Sequence, residues 1–113
     1  MYTEERPWGT FTILLDTPTH KVKQIVVRPG QRLSYQLHYK RAEHWFVVTG
    51  VGTATINDVE RPLVAGATID IPVETKHRVA NTGTTNLIFI EVQTGTYFGE
   101  DDIIRLADDY ART

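Results

Sequence analysis

Valine, isoleucine, threonine and aromatic residues recur along this chain in short runs, and a turn-forming cluster breaks each run. "FTILL" (11–15) ends at "DTPTH", "KVKQIVV" (21–27) at "RPGQ", and "RLSYQLHY" (32–39) at "KRAE". "HWFVVTG" (44–50) leads through "VGTATI" (51–56) into the turn "NDVERP", and "ATIDIP" (67–72) ends at "VETK". "HRVANTG" (77–83) and "NLIFIEV" (86–92) complete the series. Branched and aromatic side chains suit the pleated, half-buried surface of a sheet. Short runs spaced by about ten residues are the pattern of a β-sandwich or barrel. Pro29-Gly30, Asn57-Asp58 and Thr82-Gly83 supply turn chemistry between them. A chain of 113 residues closes one core and not two, so one all-β domain over 1–113 is expected.

One segment reads differently. "GEDDIIRLADDYAR" (99–112) opens with acids, which suit the positive end of a helix dipole. Ile103, Leu106, Ala107 and Tyr110 recur in it at helical spacing. The pattern predicts a short C-terminal helix.

Charge and composition narrow the function classes. Twelve basic against fourteen acidic residues give a net charge of −2, so the clustered basic excess of a nucleic-acid binder is missing. The absence of cysteine excludes disulfides and thiolate metal sites and fits a reducing compartment. The opening "MYTEERPWG" lacks the apolar stretch of a secretory leader. No apolar run approaches the roughly 18 residues of a membrane helix. A soluble cytoplasmic protein, with neither nucleic acid nor membrane as partner, is the expectation.

The polar exceptions inside the strand-like runs carry the chemistry. Gly30 is followed by five residues, Gln36-Leu37-His38, four residues, Glu43, six residues and Gly50. Gly66 is followed by five residues, Pro72, four residues, His77, three residues and Asn81. Residues i and i+2 of a strand share a face, so Gln36 and His38 point the same way. A turn at 39–42 can return Glu43 toward them, and His77 can open a facing strand. An amide oxygen, two imidazoles and a carboxylate make a mixed set for a divalent metal, with zinc first and manganese, cobalt, iron or nickel as alternatives. Alternation sends His44 outward if Glu43 points inward, and His20 reads as a loop residue.

These two spaced motifs, "GQRLSYQLHYKRAEHWFVVTG" and "GATIDIPVETKHRVAN", resemble the paired motifs of the cupin family. Cupins in general carry histidine where Gln36 stands and glycine where Glu74 stands. A narrower resemblance adds "RPWGTF" near the start and "EVQTGTYFGEDDIIRLADDYAR" at the end. These segments are similar to the type II phosphomannose isomerases, usually the C-terminal cupin half of bifunctional mannose-1-phosphate guanylyltransferase/mannose-6-phosphate isomerase enzymes. In that group glutamine at the first ligand position is usual. The chain has no Gly-rich phosphate-cradling stretch, so the guanylyltransferase activity does not carry over.

The resemblance implies a jelly-roll barrel, a metal held by Gln36, His38, Glu43 and His77, and interconversion of mannose 6-phosphate and fructose 6-phosphate. It also implies a homodimer. Lys40 and Arg41, in the turn beside the ligands, are candidates to clamp the phosphate, which a guanidinium binds bidentately, and Arg41 comes before Lys40 because it falls in the family-like "RAEHW". Glu91, Lys23 and Gln93 lie in strand-like runs able to face the cavity, and Lys23 is a further candidate whose face the sequence leaves open. Glu91 interrupts an apolar run and must be paired, solvated or perturbed, which makes it a candidate base as well as a candidate for a structural ion pair. Trp45 reads as core or as a wall for a sugar ring. Two other classes share the motifs: a sugar-phosphate-binding module or accessory subunit without turnover, and a metal-dependent oxygenase.

Overall fold

The structure, a computed structural model, describes residues 1–110. It contains eleven strands: β1 (Tyr2–Arg6), β2 (Gly9–Asp16), β3 (His20–Val27), β4 (Tyr35–Leu37), β5 (Arg41–Thr49), β6 (Gly52–Ile56), β7 (Val59–Leu63), β8 (Thr68–Ile71), β9 (His77–Asn81), β10 (Leu87–Gly95) and β11 (Ile104–Ala107). They form two antiparallel sheets. The larger runs β1-β2-β3-β10-β5-β8 and the smaller β11-β4-β9-β6-β7. The two-sheet architecture expected from the strand spacing is present, in the jelly-roll form that the family resemblance implied.

The C-terminal helix is not. Residues 104–107 are strand β11, paired antiparallel with β4 through Ile104–Leu37 and Arg105–Gln36. The helical spacing of Ile103, Leu106 and Ala107 is overridden by the open edge of β4, whose backbone groups need partners. The segment also alternates as a strand does, with Ile104 and Leu106 exposed and Ile103 and Arg105 turned toward the cavity between the sheets. Residues 99–103 and 108–110 of the expected helix, Tyr110 included, are turns and irregular chain, and its last two residues, 111–112, lie outside the described residues. The turn "NDVERP" is the tip of a hairpin whose second strand is β7. Asn57 and Asp58 have φ of 47° and 69°, the two positive values of a type I′ turn. Pro62 fits there because β7 is an edge strand. Among the described residues no helix is long and apolar enough to cross a membrane.

The interior changes character along its length. Facing residues of paired antiparallel strands share a side of the sheet. One row across the larger sheet is Phe11, Ile25, Phe89 and Val47, all buried and apolar. The next row is Ile13, Lys23, Glu91, Trp45 and Ile69. The row after that contains Gln93, Glu43 and Ile71. Along β5 the inward positions are Arg41, Glu43, Trp45 and Val47, while His44, Phe46 and Val48 face out. A dry half around Val27, Leu87 and Phe89 therefore anchors the sandwich. The same alternation then delivers charged side chains into the other half.

Candidate metal centre

Strand β5 brings Glu43 inward from the larger sheet. From the smaller sheet, β4 supplies Gln36, the residue just beyond its end supplies His38, and β9 opens with His77. Gln36 and His77 are direct partners in the register. His38, Glu43 and His77 each offer one donor atom, and the three atoms lie within 4.8 Å of one another. His38 Nε2 stands 3.3 Å from Glu43 Oε2, and His77 Nε2 stands 3.8 Å from Glu43 Oε1. All three residues are buried.

The outer hydrogen bonds fix which nitrogen faces inward. His77 Nδ1 donates to the Thr75 carbonyl at 2.9 Å, and His38 Nδ1 to the Asp102 carbonyl at 2.5 Å. A ring that donates from Nδ1 keeps a lone pair on Nε2, the arrangement by which histidine ligates a metal. Burial, reinforced by the nearby Arg41 guanidinium, holds the His38 imidazole below its ordinary pKa and so neutral. His77 Nε2 is buried and has no hydrogen-bond partner. Unsatisfied buried polar atoms are rare, and one aimed at a carboxylate and a second imidazole fits a divalent metal. Gln36 turns its amide nitrogen toward His38 Nε2 at 3.4 Å, while its oxygen accepts from Ser34 Oγ at 2.6 Å. Rotating that amide by half a turn presents the oxygen instead, and the Ser34 hydroxyl can then accept from the nitrogen.

Glu43 is the hub. Trp45 Nε1 donates to its Oε1 at 2.9 Å, and Arg41 Nε donates to its Oε2 at 3.0 Å. Burial works to raise the Glu43 carboxyl, but His77, Arg41 and a hydrogen bond with Glu91 hold it well below the usual range. Glu91 goes the other way. Burial first, then the Glu43 charge and their shared hydrogen bond, push it up to about 8. Gln93 Nε2 donates to Glu91 Oε2 at 2.6 Å. Two adjacent buried carboxyls cannot both ionise cheaply, so one keeps its proton. Glu91 therefore has hydrogen bonds where sequence reasoning allowed a structural ion pair.

Arg41 begins β5 and is only 4% exposed, so it is a wall of the interior and not part of the rim turn. Its Nη2 lies 3.1 Å from His38 Nε2. Beside this group opens a cavity of about 70 Å³, lined among others by Lys23, Gln36, Arg41, Glu91, Glu100 and Arg105. Lys23 faces into it. Lys40 does not: it is exposed and lies over the Tyr97 ring at 5.3 Å. His44 is outside and pairs with Asp70, as alternation requires. His20 opens β3 instead of lying in a loop. Sequence reasoning missed Glu100, Arg105 and Ser34. Gln93, expected with Lys23 and Glu91 on strands able to face the cavity, is buried and bonded to Glu91. Arg105 was hidden by the helical reading of its segment.

The model of a family described as "Mannose-6-phosphate isomerase C-terminal" matches residues 2–108. The alginate biosynthesis protein AlgA of Pseudomonas aeruginosa is 47% identical over 108 residues, which are 96% of this chain and 22% of that protein. The chain thus spans less than a quarter of the length of relatives of this kind. Among solved structures, the capsular polysaccharide assembling protein CapF of Staphylococcus aureus superposes with a TM-score of 0.83 at 25% identity, over 94% of this chain and 34% of that one. A cupin 2 conserved barrel domain protein of Salinispora arenicola gives 0.67 at 23% identity, over 74% of this chain and 73% of its own, and shows the fold. On fold, motifs and matched length together, the chain is a cupin domain and belongs to the mannose-6-phosphate isomerase C-terminal family.

Proposed function

We propose that this domain is a metal-dependent isomerase that interconverts mannose 6-phosphate and fructose 6-phosphate. The observation that carries the proposal is the convergence of His38, Glu43 and His77, with His77 Nε2 left unpartnered, beside a cavity lined by Gln36, Lys23, Arg41 and Glu91. Gln36, His38, Glu43 and His77 are the ligands in this reading, and zinc suits two imidazoles and a carboxylate. A bound divalent metal supplies an electrophile for the substrate's carbonyl and neighbouring hydroxyl oxygens. The isomerisation moves the proton on carbon 2 to carbon 1 and the proton on oxygen 2 to oxygen 1, through an enediol-type species. Glu91 is the group that takes the carbon-bound proton and returns it. Its raised pKa keeps both its forms within reach near neutral pH, which is what a base that must also give its proton back requires. Arg41 and Lys23 receive the phosphate.

The test is a coupled assay with one divalent metal at a time, mannose 6-phosphate in and fructose 6-phosphate out. Metal-dependent turnover that disappears in His77→Ala, together with loss of bound metal in that variant, is expected. A second reading, a sugar-phosphate-binding module without turnover, draws on Arg41, which already lies against His38 and Glu43. Binding of the sugar phosphate with no turnover under any metal would select it.

A further inference from the structure

At the mouth of the cavity, two buried cations already hold an anion. Lys23 Nζ and Arg41 come from β3 and β5, strands of the larger sheet, and their side chains are each 4% exposed. Between them lies the carboxylate of Glu100, which comes from the segment joining β10 to β11 and has a side chain 42% exposed. One carboxylate oxygen is hydrogen-bonded to Lys23 Nζ. The other faces Arg41 Nη1 at 3.6 Å, and that nitrogen has no hydrogen-bond donation of its own. Lys23 is further fixed over the Phe11 ring at 4.3 Å. Arg41 is fixed by Glu43.

The partners differ in how firmly they are held. The cations sit on paired central strands, packed and buried, and their positions are set by the sheet register. The anion arrives from outside the sheets on a solvent-facing side chain. A buried ammonium and guanidinium without a counter-charge would be costly, so the fold supplies one. A carboxylate has two oxygens and one charge. A phosphate monoester offers three oxygens and nearly two charges, and so can satisfy Lys23 and Nη1 of Arg41 more fully. Arg105, on the neighbouring strand β11 and in the same cavity wall, adds a third positive charge there.

We propose that Lys23 and Arg41 form the site for the phosphate group of the sugar, and that the Glu100 carboxylate is a resident anion which this group displaces. The inference names the phosphate subsite of the isomerase reading and rests on it only for the identity of the sugar. Glu100 thereby sets a threshold for entry. A neutral sugar cannot displace the carboxylate, because it brings no charge to replace it, and is excluded by the intact ion pairs. The dianionic ester exchanges one anion for a better one and frees Glu100 into solvent.

The experiment is a binding titration on the full chain with no metal and no turnover. Inorganic phosphate, mannose 6-phosphate and mannose are the probes, followed by calorimetry and by backbone amide shifts. In Glu100→Gln, which keeps the side chain's size and removes its charge, phosphate and mannose 6-phosphate should each bind about three- to tenfold more tightly than in the wild type. Lys23→Met should weaken both at least tenfold. In the wild type, phosphate should shift the amides of Gly99 to Asp102. Equal or weaker phosphate binding in Glu100→Gln, or a wild-type titration that leaves those amides unmoved, overturns the proposal. The amide titration needs no variant to fold. Because no step of the test requires catalysis, an inactive enzyme that still shows the exchange would sink the isomerase reading and leave this subsite standing.

Discussion

Glu91 carries the sharpest electrostatic conflict among the described residues, and it makes a prediction about stability. Burial and the neighbouring Glu43 charge raise its carboxyl from 4.5 to about 8. An acid with a higher pKa folded than unfolded takes up a proton on folding. Between those two values stability therefore falls as pH rises, and the native state carries a penalty on the order of a few kcal/mol above them. Glu91→Gln keeps the bond from Gln93 and has no proton to lose. In the presence of a chelator, its unfolding free energy should stay flat across that window while the wild type declines. Parallel curves for the two proteins would place the decline on other groups. The same change should lower kcat by about 10²- to 10⁴-fold with metal present, since those are the usual contributions of a general base. A normal kcat in Glu91→Gln would move the proton transfer to another residue.

At the scale of elements, the loop before β9 explains one departure from the general cupin pattern. Glu74 stands where cupins carry glycine, and its φ is 59°, a left-handed value that glycine adopts freely and glutamate at a cost. Its N–H donates to the His38 carbonyl at 2.7 Å, so the conformation is held by the strand end that presents a candidate ligand. Glu74→Gly should stabilise the protein by up to about 1 kcal/mol, the relieved strain exceeding the added flexibility of the unfolded chain. A denaturant midpoint that drops would mean the glutamate side chain contributes more than its backbone costs. Gly95 makes the opposite prediction. It pairs with Arg41 at φ 150°, and a Cβ there would lie 2.2 Å from the Lys40 carbonyl oxygen. Gly95→Ala must push the start of β5 away from β10, and it should weaken metal binding by displacing Arg41 and Glu43. Unchanged metal affinity in that variant would show that the strand end tolerates the shift.

Elements also show where sequence reading reached and where it stopped. Spacing placed the four candidate ligands together because each lies on or beside a strand whose period of two is fixed by the pleat. The strand-like runs were legible for the same reason. β1 and β7 were not: "YTEER" and "VERPL" are polar or proline-containing edge strands with little apolar signal. β11 was read as a helix because Ile103, Leu106, Ala107 and Tyr110 fit a helical period while the strand alternation there sets Ile104 and Leu106 outward, and only the edge of β4 decides between them. The cost of that misreading was Arg105, and the long reach of Glu100 back to β3 is a tertiary contact that no local pattern encodes.

For the whole molecule, the site is also a fastener between layers. Glu43 belongs to the larger sheet, Gln36 and His77 to the smaller, and His38 follows directly on the end of β4. At the apolar end the sheets are joined by Leu87, Phe89, Val79 and Val27. At the polar end they meet through charges whose mutual repulsions and partial pairings stabilise little. A divalent metal bridging Glu43 to the two imidazoles would convert that end from a loose polar contact into a cross-link. Saturating metal at 100 times its dissociation constant adds about 2.7 kcal/mol to a protein that binds it only when folded. For a domain of this size that is a rise on the order of ten degrees in unfolding midpoint over the chelated protein. The gain should be unevenly spread. Hydrogen exchange should slow most in β4, β9 and β11, whose attachment to the larger sheet at this end runs through His38, His77 and the Asp102 carbonyl, and least in β3 and β10. A chelator that leaves both the midpoint and the exchange of β4 unchanged would show that the three donors do not hold a metal.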